Sequence, residues 1–125
     1  KVSRVDHGNH ALDDPKLVAR MVREKTPLTM CPLSNLRLKG IPSLAAHPIK
    51  QALDAGLLAT VNSDDPSYFG GYINDNYKAV SAAVGLTPGE IITLAKNSFA
   101  ASFLDDRDKQ AHIEAVDRHA EGFKD

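Results

Sequence analysis

Cysteine is almost absent from this chain of 125 residues, which carries only Cys31. A single thiol excludes an internal disulfide framework and favours a reducing compartment, so a cytoplasmic location is expected. It also excludes a zinc site built on a Pro-Cys-x-x-Cys run. An excess of one charge is missing too: 15 basic residues face 16 acidic ones, for a net charge of −1. That balance gives no basic footprint for nucleic acid. No apolar run approaches the roughly 18 residues that read as a membrane span, and no secretory signal opens the sequence. No Gly-rich loop of the phosphate-binding pattern follows an apolar run, which leaves a phosphate-binding α/β domain without support. Low-complexity segments and linkers are also lacking. What remains is a globular composition, 42% hydrophobic and 25% charged, of a length that suits one small domain or a piece of a larger one.

The pattern along the chain alternates. Val2–Val5 reads as a short strand. Asp14-Pro15 has the form of an N-cap followed by Pro in the first helical turn. Leu17, Val18, Met21 and Val22 then follow at helical spacing, and Lys25-Thr26-Pro27 ends that helix. Leu28–Cys31 is a second strand, stopped by Pro32. A loop with Ser34, Asn35 and Gly40 leads to Pro48, which opens a helix with Ile49, Ala52 and Leu53 inward. Gly56 closes it, and Leu57–Val61 is a third strand with Asp64-Asp65 at its exit.

The strand exits fall about 25 to 30 residues apart, the spacing of strand–helix units in a parallel sheet. The remainder reads as helical. A loop through Tyr68, Phe69 and Tyr72 runs into a helix with Tyr77, Val80, Ala83 and Val84. Thr87-Pro88-Gly89-Glu90 is a capping box, with Ile91, Ile92, Leu94 and Ala95 as the buried side of its helix. A charged helix runs from Leu104-Asp105-Asp106 to near Gly122. The expected fold class is α/β. Residues 1–125 form a single partial domain, with strand–helix units over 1–66 and a helical remainder over 67–125. A parallel barrel needs eight strands, so three strands read as the last part of a TIM (β/α)8 barrel. A small open three-strand domain is the alternative.

Two strand exits hold candidate chemistry. Asn62-Ser63-Asp64-Asp65-Pro66 follows one apolar run, and Arg4-Val5-Asp6-His7-Gly8 ends another. Parallel α/β folds place their chemistry at such ends. Carboxylate plus imidazole begins a metal-assisted hydrolytic site, and His7 could steer or accept a proton. The same Asp pair also suits an Asx turn before Pro66, and a lone His also suits polar packing. Cys31 reads as a small buried apolar residue, because no activating base stands near it in sequence. Ser34 and Asn35 read as loop caps or as groups that orient neighbours. His10, His47, His112 and His119 are weaker candidates; the last two stand seven apart on a charged helix, which suits a solvated face. Tyr68, Phe69 and Tyr72 could close over a flat ligand or simply pack.

Taken together, Arg4-Val5-Asp6-His7-Gly8, Cys31-Pro32-Leu33-Ser34-Asn35, His47-Pro48 and Ser63-Asp64-Asp65-Pro66 resemble the C-terminal part of the adenosine/adenine deaminase family of metal-dependent barrel hydrolases. The Val-Asp-His-Gly form and the run from Asn62 to Tyr72 lean towards the adenine deaminase branch. The resemblance implies that Asp64 is a ligand of a catalytic Zn2+ ion. It implies that Asp65 holds the purine at its N7 edge and that His7 orients the attacking water. The expected reaction is hydrolysis of adenine to hypoxanthine and ammonia, with adenosine to inosine as the alternative. The family's His-x-His pair, its further His and its catalytic Glu are not in this chain. The chain alone is therefore expected to be inactive, and its first partner is the missing N-terminal barrel part. A non-catalytic assembly module is the rival reading: open sheet edges leave room for a homo-oligomer. Neither nucleic acid nor a membrane is expected as a partner.

Overall fold

The computed structural model describes residues 2–122. Three parallel strands, β1 (Val5–Asp6), β2 (Leu28–Met30) and β3 (Ala59–Val61), pair in that order. The register sets Val5 beside Leu28 and Leu28 beside Ala59, then Thr29 beside Thr60 and Met30 beside Val61. Helix α1 (Pro15–Glu24) joins β1 to β2, and α2 (Pro32–Arg37) and α3 (Ile49–Asp54) join β2 to β3. A four-residue helix, α4 (Pro66–Phe69), follows β3. Three longer helices follow among the described residues: α5 (Ile73–Val84), α6 (Pro88–Ala100) and α7 (Asp106–Glu121). No described helix is long and apolar enough to cross a membrane.

Local chemistry explains the boundaries. Asp14 caps α1 by accepting from the backbone N–H groups of Lys16 (2.8 Å) and Leu17 (3.3 Å), and Pro15 has no N–H to leave unpaired. The expected capping box at α6 is formed: Glu90 N donates to Thr87 Oγ1 (3.2 Å), and Thr87 N donates to Glu90 Oε2 (2.7 Å). Lys50 on α3 also reaches Glu90, so the start of α6 is tied to the helix before β3. Glu90 is held down to about 2, first by the Lys50 hydrogen bond and then by Thr87. Further along α6, Asn97 Nδ2 donates to the Ala59 carbonyl (2.9 Å), fixing α6 against β3. Helix α7 is held to α6 by the Lys96–Asp117 ion pair (2.8 Å) and by Phe99 stacked on His112 (4.7 Å).

The strands are shorter than the apolar runs that mark them. β1 is Val5–Asp6 rather than Val2–Val5, and β3 begins at Ala59 rather than Leu57. Ladder pairing defines a strand, and each edge strand is paired only where β2 reaches it. The segment after Pro32 is helical where a loop was expected. Cys31 stands at the N-cap of α2 and Pro32 in its first turn. Leu28, Met30, Ile49, Ala52, Ala59, Val80 and Leu94 are fully buried and form the centre of the core. The sheet and its covering helices thus enclose one apolar layer, with β1 and β3 as edges open to further strands.

Gly8 links this core to the strand exit. Its φ is +75°, and a Cβ there would stand 2.5 Å from Leu28 Cδ2. Leu28 is fully buried and cannot retreat. The Gly8→Ala substitution combines a left-handed residue with overpacking and is expected to cost about 2 to 4 kcal/mol. A lowered urea midpoint at unchanged slope is the signature to measure.

Candidate active site

The three strand exits converge on one cleft of about 280 Å³, lined by Arg4, Asp6, His7, Thr29, Cys31, Asn62 and Asp64. A larger concavity of about 710 Å³ includes Val2, Val5, Leu17 and Met21 in its wall. That wall is mainly apolar and borders β1, an edge strand, so it has the character of a packing surface. The convergent polar groups are in the smaller cleft.

His7 and Asp64 are brought together across it, with His7 Nε2 3.7 Å from Asp64 Oδ2. Both residues have left-handed backbones, φ 59° and 56°, a conformation that costs about 1 kcal/mol or more for a residue with a Cβ. The chain therefore kinks just past β1 at His7 and three residues past β3 at Asp64. Hydrogen bonds hold both kinks. His7 N donates to the Thr29 carbonyl (3.0 Å) and lies 3.2 Å from Thr29 Oγ1. That hydroxyl donates to Asp6 Oδ1 (2.9 Å), which Arg4 Nε also reaches (3.1 Å). The Thr29 and Arg4 hydrogen bonds keep the Asp6 carboxyl below its usual range. Ser34 Oγ donates to Asp64 Oδ2 (2.7 Å) from the first turn of α2.

Behind His7 lies a buried polar chain that extends the sequence reading. Asn35 Nδ2 is 3.1 Å from His7 Nδ1. Asn35 Oδ1 is 3.2 Å from His47 Nε2 and accepts from Cys31 N (3.3 Å). His47 Nδ1 accepts from Ile49 N (3.2 Å). Ser34 and Asn35 thus orient neighbours, as one of the two sequence readings held. His47 is only 3% exposed, and its part in the site carried no signal except its place in the His47-Pro48 motif. Burial pulls its imidazole down to about 4. Burial pushes the Cys31 thiol up to about 12, with the Asp64 and Asp6 charges adding to the effect. Cys31 Sγ donates to the Thr29 carbonyl (3.3 Å).

The other candidates stand apart. Asp65 caps α4, its Oδ1 accepting from Tyr68 N (3.4 Å), and is exposed. His10 pairs with Asp13 at 2.9 Å on the surface. Tyr68 meets Phe69 edge to face (5.0 Å), and Tyr68 and Tyr72 are exposed. Among the described residues, the side chains that could share a metal ion are His7, Cys31 and Asp64, whose ligand atoms lie within 4.8 Å of one another. His112 and His119 are not among them.

This donor set fits a metal in a limited way. Asp64 offers a carboxylate whose orientation is fixed through Oδ2 by Ser34, the support that ligating carboxylates usually have. Cys31 turns its Sγ–H to the Thr29 carbonyl, and burial pushes its thiol up. Catalytic zinc takes three protein ligands, and this edge presents one carboxylate oriented by a hydrogen bond.

The parallel strand–helix units gather their polar groups at the carboxyl edge of the sheet, where parallel α/β enzymes place their sites. Comparison with known proteins makes the assignment specific. The adenosine deaminase family model matches residues 1–119, and the chain belongs to that family of metal-dependent amidohydrolases. It is 61% identical over 120 residues to an adenine deaminase of Caulobacter vibrioides, covering 96% of this chain and 35% of that protein. It is 56% identical over 120 residues to that of Sphingopyxis alaskensis, with the same coverage of 96% and 35%. The crystal structure of adenine deaminase from Arthrobacter aurescens matches with a TM-score of 0.92 at 42% identity, over 96% of this chain and 37% of that one. An amidohydrolase from Burkholderia ambifaria with bound Zn matches with a TM-score of 0.87 at 25% identity, over 97% and 34%. The chain spans about a third of the length of the relatives it matches. Its fold is that of the C-terminal part of a (β/α)8 barrel.

The depressed His47 value has a measurable consequence. Below pH 6.5 the unfolded chain takes a proton that the folded chain refuses until about pH 4. Stability therefore falls as pH falls through that window, by about 3 kcal/mol in total. Urea midpoints across that range should decline less steeply in the His47→Gln variant than in the parent.

Proposed function

We propose that this chain is the C-terminal portion of an adenine deaminase, a barrel enzyme that hydrolyses adenine to hypoxanthine and ammonia. The carrying observation is the meeting of His7 and Asp64 at 3.7 Å, with Ser34 bonded to the carboxylate, at the carboxyl edge of a parallel sheet. The similarity to relatives named adenine deaminase supports adenine as the substrate. The other metal ligands and the proton donor to the ring belong to the barrel part outside this chain.

In this reading Asp64 holds the metal, and zinc is the proposed ion because the Burkholderia relative has bound Zn. When bound, such an ion lowers the pKa of water and so supplies a nucleophile near neutral pH. Asp64 is presented to it with Oδ2 held by Ser34. His7 directs Nε2 into the cleft, where it orients the water that adds to C6 of the purine. The C6–N bond then breaks and the nitrogen leaves as ammonia. Asp65 engages one carboxylate oxygen as the cap of α4; the other accepts from N7–H at the purine's N7 edge, which selects the tautomer that carries that proton. The remaining barrel part is the principal partner, seated against the open β1 and β3 edges.

Two measurements test this reading in the complete barrel. Asp64→Asn keeps a side chain that tolerates the left-handed backbone, yet removes the charge. It is expected to lose the metal and at least about a hundredfold in ammonia release from adenine. Ser34→Ala is expected to lower metal affinity about ten- to a hundredfold, read by competition with a chelator. Faster turnover of adenosine than of adenine by the parent enzyme would overturn the substrate assignment. For the 125-residue chain by itself, no ammonia release is expected, because a single carboxylate cannot complete a catalytic zinc site.

A further inference from the structure

At 3.7 Å, His7 Nε2 and Asp64 Oδ2 could share a cation, or the imidazole could present an N–H to a water. Which occurs depends on the nitrogen that carries the ring proton. The buried chain behind His7 decides it, because backbone N–H groups fix its polarity and can only donate.

At the inner end, Ile49 N donates to His47 Nδ1 (3.2 Å), so that nitrogen is unprotonated. A neutral His47 must then carry its proton on Nε2, which faces Asn35 Oδ1 at 3.2 Å. In the middle, Cys31 N also donates to Asn35 Oδ1 (3.3 Å). These two donors fix the orientation of the Asn35 amide; a flipped amide would set an NH2 group against both. The correct orientation turns Asn35 Nδ2 towards His7 Nδ1 at 3.1 Å. Nδ1 of His7 therefore accepts. The remaining proton sits on Nε2, which points at Asp64.

We propose that Asn35 and His47 are positioning residues that hold the His7 ring with its proton on Nε2, making that nitrogen a hydrogen-bond donor in the cleft and not a metal ligand. The role of the donor towards the reacting water rests on the proposed function; the placement of the proton does not. The hydrogen bond at one ring nitrogen commonly sets the tautomer of a working imidazole. Here the setting passes through an amide to a second, buried histidine. Anionic oxygen developing in the cleft gains a fixed donor from this arrangement.

The test uses the complete barrel without metal, labelled with 15N-histidine. NMR couplings of the His7 ring report which nitrogen is protonated. The expected result is Nε2–H in the parent protein. Asn35→Asp replaces the donor at Nδ1 with an acceptor, and is expected to place a proton on Nδ1. His47→Phe removes the donor that holds Asn35, and is expected to give a mixture of tautomers. His47→Gln restores an N–H near the Nε2 position and is expected to restore the single tautomer. With the metal-loaded enzyme, Asn35→Asp and His47→Phe are expected to lower kcat about ten- to a hundredfold, with KM within about twofold. An Nδ1–H ring in the parent overturns the proposal, whatever the variants do. So does an unchanged ring in a folded Asn35→Asp protein. If the tautomers behave as expected but the parent does not deaminate adenine, the positioning chain stands and the assigned reaction falls.

Discussion

β2 is paired on both sides, and the site depends on that pairing. Its three residues receive β1 on one edge and β3 on the other. Its outer residues Leu28 and Met30 are fully buried, so any shift in register would move apolar side chains out of the core. The same strand bonds to the two residues that leave its neighbours: the Thr29 carbonyl receives His7 N–H, and the Met30 carbonyl receives Asn62 N–H (2.9 Å). Its own exit then becomes Cys31 and α2, the source of Ser34 and Asn35. Displacing β2 would therefore disturb the carboxylate and the imidazole together.

The kinks at His7 and Asp64 have an energetic cost that the surrounding hydrogen bonds offset. Neither residue is glycine, yet both are left-handed. A relaxed extended backbone would carry the chain onward along the strand direction. The strained one turns each side chain back across the sheet edge, so the pair meets before any ligand arrives. Preorganisation of this kind explains why the strain is placed at these two positions.

Much of this architecture was legible in the sequence because it is punctuated locally. Asp14-Pro15 and Thr87-Pro88-Gly89-Glu90 specify helix starts within four residues, and both are realised as read. The His7 and Asp64 positions were legible because they stand within three residues of the end of an apolar run. Helix α2 was not: six residues are too few to display a helical apolar repeat, and its start at Cys31-Pro32 resembles the end of a strand. The strand limits were not legible either, since they depend on where β2 stops. His47 was obscured for a different reason. Its partner Asn35 is 12 residues away, and Asn35 meets His7 across 28. Contacts over such separations follow no helical or strand period, so only the folded chain brings them together.

Cys31 carries a consequence for chemical durability. Peroxides and disulfides attack thiolates, not thiols. This sulfur lies within 4.8 Å of a ligand atom of both His7 and Asp64, where oxidation would introduce bulk and charge into the cleft. With its thiol raised to about 12 and turned to the Thr29 carbonyl, it offers almost no thiolate at neutral pH. The sole sulfhydryl of the chain thus sits beside the reactive edge with little of the thiolate form that oxidants attack.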